Sequence, residues 1–197
     1  MIGKADLYDG QNASLSQDKF GRSASALSLV NGYYKVPAGI YFGGSQFSIL
    51  VWVKVRNFNV WSRIIDFSTG GLDNQLIFGL SYDFYGNPFF AFRTVSTVSL
   101  HTKASIVYNS NEWHHLSIVF QSPTNLFYLD GVQVSFVVLD PYVSDPINAI
   151  RDKNFIGRSN FQSTDQDANA DFDELKIFNR ALSQQEIQYE INNNIFV

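Results

Sequence analysis

The chain has 197 residues, 45% of them hydrophobic and 16% aromatic, enough for one domain that buries about 70% of its unfolded surface. Gly at 13, Pro at 5 and a charged fraction of 16% exclude collagen, coiled coil and charge-driven disorder. With 14 Lys and Arg against 18 Asp and Glu the net charge is -4, and no basic block gathers to neutralise phosphates, which excludes nucleic acid as a partner.

No apolar run approaches the ~20 residues of a membrane helix, so no membrane insertion is expected. Met1–Asp9 lack the apolar stretch of a signal peptide. Cysteine is absent, which removes disulfides, thiolate zinc sites and cysteine nucleophiles together. A single domain over residues 1–197 is expected, with 1–17 as a flexible or flanking segment that carries one N-glycosylation triplet, Asn12-Ala13-Ser14.

In chain order, the first strong pattern is Phe47, Ile49, Val51, Val53 and Val55 at alternate positions, opposite Ser48 and Lys54. This is a half-buried strand. β-rich runs follow at Arg63 to Phe67, Gln75 to Tyr82, Phe89 to Thr94, Trp113 to Phe120 and Asn125 to Leu129. Three more lie at Val132 to Val138, Asn154 to Gly157 and Asp171 to Phe178. Turn signals separate them, among them Gly70-Gly71, Gly86-Asn87-Pro88 and Asp140-Pro141; Leu129-Asp130-Gly131-Val132 reads as a tight hairpin. Only the C-terminus reads as helix, where Ser183-Gln184-Gln185-Glu186 makes a capping box ahead of Ile187 and Ile191. Many short strands without βαβ spacing predict an all-β, antiparallel two-sheet sandwich with one short C-terminal helix.

Several stretches carry a resemblance. They are Asp18-Lys19-Phe20-Gly21-Arg22, Gly32-Tyr33-Tyr34-Lys35-Val36-Pro37, Phe47-Ser48-Ile49-Leu50-Val51-Trp52-Val53-Lys54 and Glu112-Trp113-His114-His115-Leu116. Further on come Leu126-Phe127-Tyr128-Leu129-Asp130-Gly131, Asn154-Phe155-Ile156-Gly157-Arg158 and Asp173-Glu174-Leu175-Lys176-Ile177-Phe178-Asn179-Arg180-Ala181-Leu182-Ser183. In this order and spacing they resemble the laminin-G-like, concanavalin A-like jelly-roll superfamily, which includes pentraxins. The resemblance implies that Ala26–Val36 and Asp171–Phe178 are neighbouring strands, that the module is extracellular or cell-surface, and that its ligands are glycans or proteins. It fixes the fold more than the function, because one sandwich carries lectins, adhesion modules and glucanases.

The densest oxygen-bearing segment is Asp165, Asp167, Asn169, Asp171 and Asp173 at alternate positions, chemistry that suits calcium. It is no EF-hand, since Ala170 stands where glycine belongs and Lys176 where glutamate belongs. Two readings stand: a calcium loop, or a solvated acidic loop between strands. The resemblance adds that the acid of the Asp173-Glu174 pair helps hold a calcium near the Gly32 turn. There Tyr33-Tyr34 replace the usual acid and Asn31 is the nearest polar side chain.

Asp73 and Asn74, in a second oxygen-rich turn, are candidate ligand-binding residues or, as the simpler reading, local turn formers. Trp61 and Tyr85 sit in predicted loops, where a flat aromatic ring stacks on a sugar or simply joins the core. Trp52 and Trp113 lie in periodic strands and are assigned to packing. His114 and His115 are strand neighbours pointing to opposite faces, so they cannot easily chelate one ion and are read as structural.

Glutamate occurs only at Glu112, Glu174, Glu186 and Glu190, and the Glu-x-Asp-x-x-Glu signature of laminarinase-like glucanases is absent. The sequence therefore predicts no enzyme. It predicts a lectin-like recognition module for carbohydrate or a glycan-bearing partner, with calcium-ordered loops. The alternatives are a structural or protein-interaction module of a mosaic extracellular protein and a divergent glycosidase.

Overall fold

A computed structural model describes residues 10–94, 97–161 and 165–193. The strands are β1 (Gly10–Ser16), β2 (Ala26–Val36), β3 (Gln46–Val55), β4 (Ser62–Ser68), β5 (Leu76–Ser81), β6 (Phe89–Thr94) and β7 (Thr97–Ala104). They continue as β8 (Trp113–Gln121), β9 (Thr124–Leu129), β10 (Val132–Val134), β11 (Phe136–Asp140), β12 (Lys153–Ile156) and β13 (Ala168–Phe178), and helix α1 (Gln184–Asn192) follows. No described helix is long and apolar enough to cross a membrane.

All strand pairings among the described residues are antiparallel, and they join into one ladder. Its order is β10-β9-β8-β3-β13-β2-β12-β4-β5-β6-β7-β11, with β1 added to β2. The expected all-β antiparallel class holds. The expected division into two separate sheets does not, because the short β12 is bonded to β2 on one side and to β4 on the other. β2 and β13 are neighbours, as the resemblance implied, with Phe172 opposite Leu27.

The run Val132–Val138 is also divided: Ser135 separates β10, at one end of the ladder, from β11, at the other. The sheet thus curls until its first and last strands come from one stretch of chain. Curling brings the two half-apolar faces together and buries them against each other. Phe47 of β3, Phe90 and Phe92 of β6 and Phe120 of β8 meet in the middle, with Phe92 and Phe120 rings 5.4 Å apart. Phe47, Ile49, Val51, Val53 and Val55 are all fully buried there.

Of the segment 1–17 expected to be flexible or flanking, residues 1–9 lie outside the described residues and 10–16 form β1, which pairs along β2 from Gly10 opposite Tyr34 to Ser16 opposite Ala26. The helix is built as its capping box dictates: Ser183 Oγ accepts from the Glu186 amide at 3.3 Å and Glu186 Oε2 accepts from the Ser183 amide at 2.8 Å. Its buried Ile187 packs with Leu182 on Leu50, Val119 and Tyr128, the outward side chains of β3, β8 and β9. That half of the ladder is therefore covered on its outside.

Candidate functional site

The other half carries a groove on its outside. In β5 and β6, Phe78, Leu80, Phe90 and Phe92 enter the core, while Ile77, Phe89 and Ala91 form a separate apolar cluster on the opposite face. Gly79 makes that face possible: a methyl at its Cα would overlap the Phe89 ring, which lies across the strand. Trp61, Tyr82 and Phe161 stand around this floor. Trp61 and Phe161 line a groove of about 360 Å³ whose walls also include Arg63, Arg93, His101 and Asp140.

Trp61 leads into β4 with φ at 58°, a left-handed conformation that costs a bulky L-residue roughly 1–2 kcal/mol. Strain of this kind persists only where surrounding structure holds it. Here the Arg63 guanidinium donates to the Trp61 carbonyl, and the indole is edge-on to Tyr82 at 4.4 Å and to Phe89 at 5.3 Å. The ring is half-buried and lines the groove.

Arg63 is itself only 2% exposed. Its Nη2 donates to Asp165 Oδ2 at 2.9 Å and Ser159 Oγ at 3.3 Å, its Nε lies 3.5 Å from Asp66 Oδ2, and its cation lies 5.1 Å from the Phe89 ring centroid. Asp66, fully buried, accepts from Gln75 Nε2 at 2.8 and 2.9 Å, from the Asn160 amide at 3.0 Å and from Asn160 Nδ2 at 2.8 Å. Burial pushes Arg63 down, opposed by the Asp66 and Asp165 carboxylates, and the pair together anchors β4 beneath the groove.

On the far wall, His101 Nδ1 lies 3.3 Å from Asp140 Oδ2. Burial holds His101 below its ordinary value, with Asp140 opposing. Its Nε2 is buried without a hydrogen-bond partner, and its ring lies 5.7 Å from both Trp61 and Tyr82. Arg93 stacks over Phe161 at 5.3 Å.

Of the residues singled out in the sequence, Trp61 is in this groove and Tyr85 is not. Tyr85 is 73% exposed in the turn after Tyr82, where its amide donates to Asp83 Oδ1 at 2.8 Å, while Tyr82 itself packs against Trp61. Asp73 and Asn74 close the β4–β5 turn: the Asp73 amide donates to the Gly70 carbonyl at 3.1 Å and Asn74 Nδ2 to Thr69 Oγ1 at 3.2 Å. The seven residues of β4 place that turn about 20 Å from Trp61.

The alternating acids are shared out among arginines. Asp165 pairs with Arg63, Asp167 with Arg158 through contacts of 2.9 and 2.7 Å, and Asp171 with Arg56, which also reaches Asn169 at 3.4 Å. Asp173 lies further along β13, opposite Trp52, where burial raises its pKa and the Lys19 charge opposes the rise. Asn31 belongs to the other end of that pairing, beside Gly32 opposite Ala168, and its carbonyl accepts from Asn12 Nδ2 at 3.2 Å. Asn169, Asp171 and Asp173 are thus strung along β13 while Asp165 and Asp167 precede it, and among the described residues no cluster of three or more His, Cys, Asp or Glu could hold a metal.

Trp52, assigned to packing, packs on the outer face between His115 at 5.2 Å and Lys19 at 4.4 Å. His114 and His115 diverge: His114 Nδ1 lies 2.9 Å from Asp130 Oδ2, while His115 is buried against Trp52 and Ser117. Sequence reading missed Arg63, Asp66, Phe89 and His101. One available signal was the unbroken apolar runs Leu76-Ile77-Phe78 and Phe89-Phe90-Ala91-Phe92, which in an antiparallel sheet mean that both faces need cover.

The family model described as the concanavalin A-like lectin/glucanases superfamily matches residues 29–188. The chain belongs to that superfamily. No curated protein matches it in sequence. Among solved structures, domain 4 of an extracellular arabinanase from Geobacillus stearothermophilus, in complex with arabinotriose, superposes with a TM-score of 0.71 at 16% identity, covering 91% of this chain and 81% of that one. A pentraxin from Limulus polyphemus gives 0.55 at 12% identity over 93% and 82%, and a sialidase from Trypanosoma rangeli 0.58 at 13% over 94% and 29%. At these identities the likeness is one of fold.

Proposed function

We propose that this superfamily member is a non-catalytic recognition module that binds carbohydrate in the groove over β4 to β7. One observation carries the reading: Trp61 is held in a left-handed conformation by Arg63, so that its ring walls a groove with an apolar floor. A flat aromatic beside polar side chains suits a sugar, which has an apolar face and a hydroxylated edge. The arabinanase domain with bound arabinotriose supports a saccharide ligand on this scaffold. Among the described residues the groove lining holds two carboxylates, Asp140 and Asp165, and the non-catalytic part of the reading is supported by the pairing of Asp165 with Arg63, which leaves Asp140 without a second unpaired carboxylate to work with. Arginine pairs, rather than calcium, order the acidic loop in this reading. The extracellular placement implied by the resemblance belongs to the same proposal.

Titration calorimetry with arabinotriose, together with a glycan array, tests it. Binding is expected to be unaffected by chelator and to weaken about tenfold or more in Trp61→Ala, equivalent to about 1.4 kcal/mol. Absence of binding to every glycan, or binding indifferent to Trp61→Ala, overturns it. A protein-interaction module is the second reading, favoured by Val137 and Val138, which are 49% and 51% exposed on the edge strand β11.

A further inference from the structure

The saccharide reading of the groove leaves open which sugars it admits, and the charges around it bear on that choice. We infer that the groove takes an uncharged, polyhydroxylated saccharide, with Asp140 on its rim as the specificity-determining residue that accepts ligand hydroxyls and rejects acidic sugars. This rests on the proposed function and adds the chemical class of its ligand.

Among the described residues the charges lining the groove cancel: Arg63 and Arg93 are matched by Asp140 and Asp165. Arg63 is not available as an anion receptor: it is almost wholly buried and its donors go to Asp165, Ser159 and the Trp61 carbonyl. The face of Arg93 is stacked on Phe161. Lys103, which lies over Tyr82, has Asp83 at 4.0 Å. Burial disfavours the charged form of His101.

Asp140 is placed differently from all of these. It ends β11 at the rim of the groove, with its side chain 51% exposed and one carboxylate oxygen toward His101. An ionised carboxylate only accepts hydrogen bonds, so what it recognises is a donor such as a sugar hydroxyl. The same carboxylate repels the carboxylate of a uronate or sialic acid or the sulfate of a sulfated glycan. With no net positive charge among the described lining residues to offset that repulsion, neutral sugars are favoured by about tenfold or more.

A glycan array carrying neutral arabinan, galactan, xylan and glucan fragments beside sialylated, uronate-containing and sulfated ones tests this on the wild-type chain, Trp61→Ala and Asp140→Asn. The expected result is Trp61-dependent signal confined to uncharged glycans. Asp140→Asn should weaken those signals several-fold and let acidic glycans rise. Trp61-dependent binding of acidic glycans by the wild type overturns the inference while the saccharide reading stands. An Asp140→Asn profile identical to wild type also overturns it, and Asp140→Ser gives the same comparison should Asp140→Asn not fold. Absence of any Trp61-dependent signal overturns the saccharide reading, and this inference falls with it.

Discussion

On β3, β8 and β9 the outward apolar side chains Leu50, Val119 and Tyr128 lie under Leu182 and Ile187. On β5 and β6 the outward Ile77, Phe89 and Ala91 have, as their apolar neighbours among the described residues, the partly buried Trp61, Tyr82 and Phe161, with a groove above. Both faces belong to one ladder, and both alternate in the same way. The difference is what the chain lays over them. The helix-covered face uses its apolar groups for stability, whereas the open face keeps apolar and aromatic surface that a ligand can complete. Substitutions and pH changes should therefore act on the first face through folding and on the second through binding.

The largest effect is expected from acid on the covered face. Burial, reinforced by Lys19 and Lys176, lowers the pKa of His115 to about 3 from its ordinary 6.5. The folded chain then binds fewer protons there than the unfolded chain. The contribution is fully present above the ordinary value and is lost as pH falls from 6.5 toward 3, by roughly 3–5 kcal/mol in all. Urea midpoints compared at about pH 7 and about pH 4 should fall steeply for the wild type and less for His115→Gln. Equal slopes for the two proteins would remove His115 from the account.

Next is the cover itself. Ile187 is fully buried in the outer cluster, so Ile187→Ala should cost about 2–4 kcal/mol through lost transfer energy and a cavity, read from urea unfolding, with glycan affinity unchanged. A loss below about 0.5 kcal/mol would mean that the helix is only loosely attached.

The open face should respond in the opposite way. Trp61→Gly relieves a left-handed backbone that glycine adopts freely, offsetting the lost ring contacts, so stability should change by no more than about 1 kcal/mol. Glycan affinity should nonetheless fall about tenfold or more, about 1.4 kcal/mol. Unfolding and binding measured on the same preparation separate the two; a large loss of stability with affinity intact would make Trp61 a packing residue.

The covered half was the more legible in sequence, for a physical reason. The alternation of Phe47 to Val55, the positive-φ pair Asp130-Gly131 and the Ser183–Glu186 capping box are local patterns, and each appears in the structure as read. β7 escaped notice because Thr97–Ala104 alternates polar groups with few large apolar ones. The break at Ser135 escaped because an alternating run does not record where a strand changes its neighbour. The groove needs Trp61, His101, Asp140 and Asp165 from four separate segments, and period-2 spacing says which residues share a face but not what covers it.

The acidic run shows that limit most directly and leads to the smallest expected effect. Asp165, Asp167 and Asp171 repel one another in sequence, but Arg63, Arg158 and Arg56 lie 102, 9 and 115 positions away from them and meet them in space. Arg158, stacked over Tyr33, binds Asp167 through two donors, and that hydrogen bonding raises its own pKa. Carboxylates already compensated in this way gain little from a divalent cation, because the ion would have to displace guanidinium donors that are in place. Melting with chelator, calcium or magnesium should therefore agree to within about 1 °C, less than about 0.5 kcal/mol for a chain of this size. Arg158→Met, which strips one carboxylate of its partner on a part-exposed surface, should cost at most about 1 kcal/mol and leave the melts insensitive to calcium. A calcium-specific rise that disappears in Asp167→Ala with Asp173→Ala would instead mean that the loop rearranges around an ion.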